Sequence, residues 1–254
     1  MDDPRSESPD AASPAAEGPP IRAMIAPVTP LQQNCTIVWC AKTKKAAVID
    51  PGGEVDRLLA AIEGQGLTVE KIWITHGHMD HMADTVPVAE QHGSTVVGIY
   101  ELANYVAKKG ATNTIGMNLG GTVQLGDVAA TMVEAKHSAG VQDENGTHYV
   151  GVAAGYVLTI EDGPVLYHAG DTAVFSDMKL IGELYQPEVA MLPIGGHFTM
   201  GPKEAALAVK LLGSKRVLPL HFGTFPPLKG TPEQLAALVG QDVEVAQIAP
   251  GDSI

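Results

Sequence analysis

The chain has 254 residues, 45% of them hydrophobic, with 28 glycines, 18 prolines and a formal net charge of −13. This is the composition of a globular protein with many tight turns, and its acidity disfavours a nucleic-acid backbone as partner because like charges repel. No apolar run approaches the ~20 residues that a bilayer-spanning helix needs, and no charged segment followed by an apolar core marks a signal peptide.

Residues 1–20 are Pro, Ala, Ser and acidic residues with almost nothing to bury, and are expected to form a disordered tail. From Ile21 the pattern changes to that of one folded domain, 21–254. Strand-like runs cover Ile21–Val28, Cys35–Cys40 and Ala46–Ile49, separated by turn residues such as Pro30, Asn34 and Pro51-Gly52-Gly53. Cys35 and Cys40 are separated by an odd number of positions, so a strand points them to opposite faces. They read as small buried apolar residues in a reducing compartment, and a cytoplasmic location is expected.

Helical periodicity occupies 54–64, with Val55, Leu58, Leu59 and Ile62 on one face. A strand over Lys71–Thr75 follows, then a helix over 81–92, a strand over Thr95–Ile99 and a helix over Tyr100–Lys109. Residues 120–136 and 148–161 read as longer strands with hairpin-like turns, one of them Asp143-Glu144-Asn145-Gly146. Beyond them strands (164–168, 188–194, 216–221, 243–248) alternate with helices (174–184, 202–212, 231–239). Strand-rich segments with interspersed helices indicate an α/β fold of sheets covered by helices.

The chemistry concentrates in Thr75-His76-Gly77-His78-Met79-Asp80-His81. This cluster lies at a strand–helix junction, where packing rarely calls for so many imidazoles. Residues two apart in extended backbone point to one side, so His76 and His78 can grip one metal jointly. Asp80 and His81, at the turn into the helix, can face a second. Imidazole and carboxylate suit zinc, and also iron or manganese. Further ligands must come from afar, and strand ends offer His137, Asp171 and His221, with His168 and His197 as additional candidates.

His76-x-His78-x-Asp80-His81 followed by His137, Asp171 and His221 resembles the metallo-β-lactamase superfamily over nearly all of 21–254. The resemblance implies an αββα sandwich with two divalent metals, zinc first and manganese or iron as alternatives. It implies that His76, His78 and His137 hold the first metal, that Asp80, His81 and His221 hold the second, and that Asp171 bridges them. Val28-Thr29-Pro30, Gln33-Asn34-Cys35 and Ile49-Asp50-Pro51-Gly52-Gly53 are similar to the glyoxalase II group. Tyr167-His168-Ala169-Gly170-Asp171-Thr172 and Leu192-Pro193-Ile194-Gly195-Gly196-His197-Phe198 are similar to bacterial metal-dependent hydrolases of undefined substrate.

The expected activity is hydrolysis of a carboxyl-type electrophile (ester, thioester or lactone) by metal-activated hydroxide. Asp80 and His197 are the candidate catalytic residues, Asp80 for holding or relaying the water proton and His197 from a loop lining the substrate pocket. Alternatives on the same fold are a hydroxyacylglutathione thioesterase, iron-dependent persulfide oxidation and a phosphodiesterase. The expected partner is a small-molecule substrate, with neither nucleic acid nor membrane, and self-association into a homo-oligomer is left open.

Overall fold

The computed structural model describes residues 20–31, 33–249 and 252–254; the expected tail, 1–20, lies outside the described residues except for Pro20. The chain begins with antiparallel strands β1 (Ile21–Val28), β2 (Gln33–Cys40) and β3 (Lys45–Ile49). Helix α1 (Val55–Gly64) then carries it to β4 (Thr68–Trp73), parallel to β3. Two short helices, α2 (Met79–Met82) and α3 (Thr85–His92), lead to β5 (Thr95–Ile99), and α4 (Tyr100–Lys108) leads to β6 (Thr114–Met117). These six strands form one sheet in sequence order.

The second sheet starts with a hairpin, β7 (Thr122–Leu125) and β8 (Val128–Glu134), followed by the small ribbon β9 (Val141–Asp143) and β10 (Gly146–His148). Strands β11 (Ala154–Ile160) and β12 (Val165–His168) continue it. Helix α5 (Met178–Tyr185), β13 (Val189–Pro193), α6 (Pro202–Leu212), β14 (Arg216–Leu220), α7 (Pro232–Ala236) and β15 (Glu244–Val245) complete the chain. The order is β15-β14-β13-β12-β11-β8-β7, parallel from β12 to β15 and antiparallel on the other side.

One continuous apolar core, from Ala23 to Ile248, lies between and around the sheets. Helices α1, α3 and α4 pack on the first sheet, and α6 and α7 on the second, with α5 beside α6. The result is the αββα sandwich expected from the sequence. Polar bonds also cross between the sheets. The Tyr156 hydroxyl donates to the Ile74 carbonyl at 2.9 Å, and the Ala154 N–H donates to the Thr75 carbonyl at 2.9 Å. These contacts lock the chain just after β4 to β11, and that chain carries the histidine cluster.

Some elements differ from the sequence reading. The helix expected over 81–92 is two helices, because Pro87 has no N–H and its ring would meet the carbonyl of Ala83. Breaking at Ala83–Asp84 puts Pro87 in the first turn of α3, where no intrahelical donor is needed. The strand expected over 120–136 is the β7–β8 hairpin, turned at Gly126-Asp127, with Gly126 at a φ of 64°. The one expected over 148–161 starts at Ala154, and β6, a short strand at the sheet edge, has no sequence signature. Both cysteines are free; Cys35 is buried as expected, but Cys40 is only partly buried at the end of β2.

Candidate metal centre

Every candidate ligand lies beyond the end of a strand. His76 and His78 follow β4, His137 follows β8, Asp171 follows β12 and His221 follows β14. The extended backbone at His76 and His78 brings His76 Nε2 to 3.0 Å from His78 Nδ1. The His137 ring lies 5.0 Å from that of His76 and 5.1 Å from that of His78, edge-on to both. One nitrogen from each of these three falls within 4.8 Å of the others, and so do ligand atoms of Asp80, His81 and His221. Asp171 Oδ2 lies between the two sets, 3.2 Å from His221 Nε2, 3.4 Å from His81 Nε2 and 3.8 Å from His137 Nε2.

Hydrogen bonds on the outer side of the rings fix which nitrogen faces inward. The Thr75 hydroxyl donates to Asp50 Oδ2 at 2.7 Å, so at 2.9 Å from His76 Nδ1 it can only accept. His76 therefore carries its proton on Nδ1 and turns the Nε2 lone pair to the centre. His81 Nδ1 donates to Asp50 Oδ2 at 2.9 Å, which leaves Nε2 facing inward and buried, with the Asp171 carboxylate 3.4 Å away. His78 Nε2 meets Ser138 Oγ at 3.2 Å, freeing Nδ1 for the centre. Several buried imidazole nitrogens and the Asp171 carboxylate thus converge on one space, and a cation there would satisfy their lone pairs together. The donor set fits divalent metals, with outer-side partners that hold ligand histidines in the needed tautomer.

Charge follows the same division. Burial pushes His76, His78 and His137 below the ordinary histidine range, so they are neutral and ready to donate a lone pair. Burial also opposes charge on His81 and Asp171. It is outweighed at His81 by Asp171 and Asp50, which hold the imidazole well above its usual range. At Asp171 it is outweighed by His221 and His81, which hold the carboxyl well below its own. A cation bound here would take the place of the His81 proton.

The Beta-lactamase superfamily domain profile matches residues 48–222. The chain belongs to the beta-lactamase superfamily. Within it, the chain is 46% identical over 206 residues to a UPF0173 metal-dependent hydrolase of Koribacter versatilis, covering 81% of this chain and 88% of that one. It is 50% identical over 187 residues to a UPF0173 metal-dependent hydrolase of Solibacter usitatus, covering 73% and 81%. The structure of Igni18, a metallo hydrolase from Ignicoccus hospitalis, superposes with a TM-score of 0.74 at 29% identity, over 92% of this chain and 97% of that one. The family and the sandwich expected from the sequence are both borne out.

In this superfamily member, His168 is buried outside the candidate ligand set. Its Nδ1 accepts the Gly170 N–H at 3.2 Å, so Nε2 holds the proton and donates to Thr36 Oγ1 at 3.2 Å. It thus ties β2 of one sheet to the turn that presents Asp171, and burial lowers its pKa to about 4. His197 lies elsewhere: exposed, with a φ of 62°, it lines a neighbouring cleft with Pro202, Pro226 and Lys229.

The sequence reading assigned no role at the site to Asp50, Thr75, Asn34 or Ser138. Asp50 accepts the Thr75 N–H at 2.7 Å in addition to the two bonds above, and is buried with a φ of 57°. Although it also lies within ligand distance of His76 and His81, both its oxygens are occupied by Thr75 and His81. Asn34 Oδ1 accepts the Phe222 N–H at 3.0 Å and steadies the backbone beside His221, itself at a φ of 52°. An acidic residue closing an apolar strand before Pro51-Gly52-Gly53 was the available signal for Asp50.

A cavity of about 240 Å³ opens over the centre. His78, Asp80, His137, Asp171 and His221 form its floor, and Leu31, Phe198, Phe225 and Leu228 form much of its wall.

Proposed function

We propose that this chain is a dinuclear metal-dependent hydrolase acting on a carboxyl-type electrophile: an ester, thioester or lactone. His76, His78 and His137 would hold one divalent cation and Asp80, His81 and His221 the other, zinc in the first instance, with Asp171 between them. The observation that carries this reading is the position of Asp171 Oδ2 within 3.8 Å of inward-facing nitrogens from both histidine sets. When bound, the cations would supply Lewis acidity, lowering the pKa of a shared water from about 16 toward 7 and polarising the electrophile.

The chain's own groups do the rest. Asp50 and Thr75 hold His81 and His76 in one tautomer, so no ligand has to reorient on binding. Asp80 lines the cavity floor, and we assign it the holding and relay of the water proton. The His197 loop contributes Phe198 to the cavity, while the His197 imidazole faces the adjoining cleft. We therefore give His197 no role in the chemical step.

The test is a purified protein loaded with zinc or manganese and assayed on esters, thioesters, lactones, β-lactams and phosphoesters, with metal content measured. Turnover of a carboxyl substrate is expected. His76→Ala and Asp171→Ala proteins should fold and lose metal together with turnover. Hydrolysis of phosphodiesters alone, or activity only with iron and a persulfide, would replace this reading; full metal content in both variants would refute the ligand assignment.

A further inference from the structure

The cavity above the metal-facing floor has a wall of one character. Leu31, Phe198, Phe225 and Leu228 face the space that the part of a substrate beyond the scissile bond must occupy. Phe198 and Phe225 present near-parallel rings, 17° apart in plane with centroids at 6.4 Å, which makes a flat aromatic ledge. Leu31 and Phe198 are 43% and 51% exposed, so their apolar surface stands open to solvent at the mouth of the site. The polar side chains among the remaining lining residues, Gln33 and Ser138, are neutral, and no Lys or Arg is among the described residues that line the cavity. A charged group at the far end of a substrate, held against this wall, would lose water and find no counter-charge on the wall itself, whereas a flat apolar group would bury surface on it.

Resting on the hydrolase reading above, we infer that the wall selects a neutral substrate whose acyl or leaving group is small and apolar, and rejects one carrying a carboxylate or phosphate on that group. A glutathione thioester, with its free carboxylates, belongs to the rejected class. Phe198 is the specificity-determining residue most open to change, because its exposed ring can be replaced without disturbing the core.

Binding tests this separately from turnover. Benzohydroxamic acid and 4-carboxybenzohydroxamic acid share a metal-chelating head and differ by one charge at the far end of the ring. Calorimetric titration of the zinc-loaded protein should show the neutral probe binding at least tenfold more tightly. In Phe198→Arg that ratio should fall at least tenfold, since a guanidinium then faces the carboxylate. The ratio of kcat/KM for phenyl acetate over 4-carboxyphenyl acetate should move in the same direction. Equal binding of the two probes, no binding of either, or an unchanged ratio in Phe198→Arg would overturn the inference. Intact probe discrimination without hydrolysis of any carboxyl substrate would instead sink the hydrolase reading alone.

Discussion

Asp50 organises the centre without facing its cavity. Its carboxylate takes bonds from the Thr75 N–H, the Thr75 hydroxyl and His81 Nδ1, and through Thr75 it also sets the tautomer of His76. Asp50→Asn keeps the shape but turns an amide toward one of these donors. Metal affinity should drop about 10–100-fold, as for other outer-side partners of ligand histidines. Zinc titration against a chelating dye measures this; an affinity matching the unaltered protein would deny Asp50 its orienting role. His168 makes a residue-scale prediction of a different kind. Its folded pKa of about 4 lies below the ordinary 6.5. Between those values the unfolded chain takes up a proton that the folded chain refuses, so stability falls as pH drops through this window and is insensitive to His168 above it. The loss amounts to roughly 3 kcal/mol by about pH 4. Urea unfolding of metal-free protein and of His168→Gln should give a shallower pH slope for the variant, and parallel slopes would assign the effect elsewhere.

At the scale of elements, the centre depends on how closely loops approach one another. A Cβ placed on Gly52 would come within 1.5 Å of the Asp80 carbonyl oxygen, so the turn after β3 packs directly on the backbone of α2. Gly52→Ala must push α2, and with it Asp80 and His81, away from the cavity floor. Overpacking of this kind costs about 1–3 kcal/mol, and metal content should fall alongside the melting temperature. An alanine variant with unchanged melting and full metal would mean that α2 can shift without moving its ligands. Gly170 illustrates the same dependence: it has a φ of 62°, and a Cβ there would meet the Ala154 carbonyl at 2.8 Å. The turn that presents Asp171 is thereby held against β11.

For the whole molecule, the candidate ligands come from both sheets. His76, His78, Asp80 and His81 follow the first, and His137, Asp171 and His221 the second. Bound cations would therefore cross-link the two layers of the sandwich at one edge. A ligand at 100 times its Kd adds about 2.7 kcal/mol per site to the folded state. For a chain of this size that raises the melting temperature by roughly 5–10 °C per site. Melting after exhaustive chelation, then after zinc is restored, checks this, and identical curves would argue against metals spanning the sheets. Among the described residues no helix is long and apolar enough to cross a membrane.

The superfamily, the layered architecture and the histidine cluster at the strand–helix junction were legible in the sequence because each is encoded locally. Alternating apolar residues specify strands, and extended backbone forces His76 and His78 to one side whatever the rest of the chain does. His137, Asp171 and His221 were legible as candidates at strand ends, and their grouping with that cluster only as resemblance, since their proximity depends on strand order and on how each chain leaves its strand. Pro87 carried the break between α2 and α3 in plain sight, but hydrophobic periodicity alone ran through it. The roles of Asp50 and Thr75, the placement of His168 beneath Asp171 and of His197 in another cleft, and the apolar wall of the cavity were decided by tertiary structure. A hydrogen bond depends on ångström-scale distance and direction between groups far apart in sequence, and no local pattern fixes those.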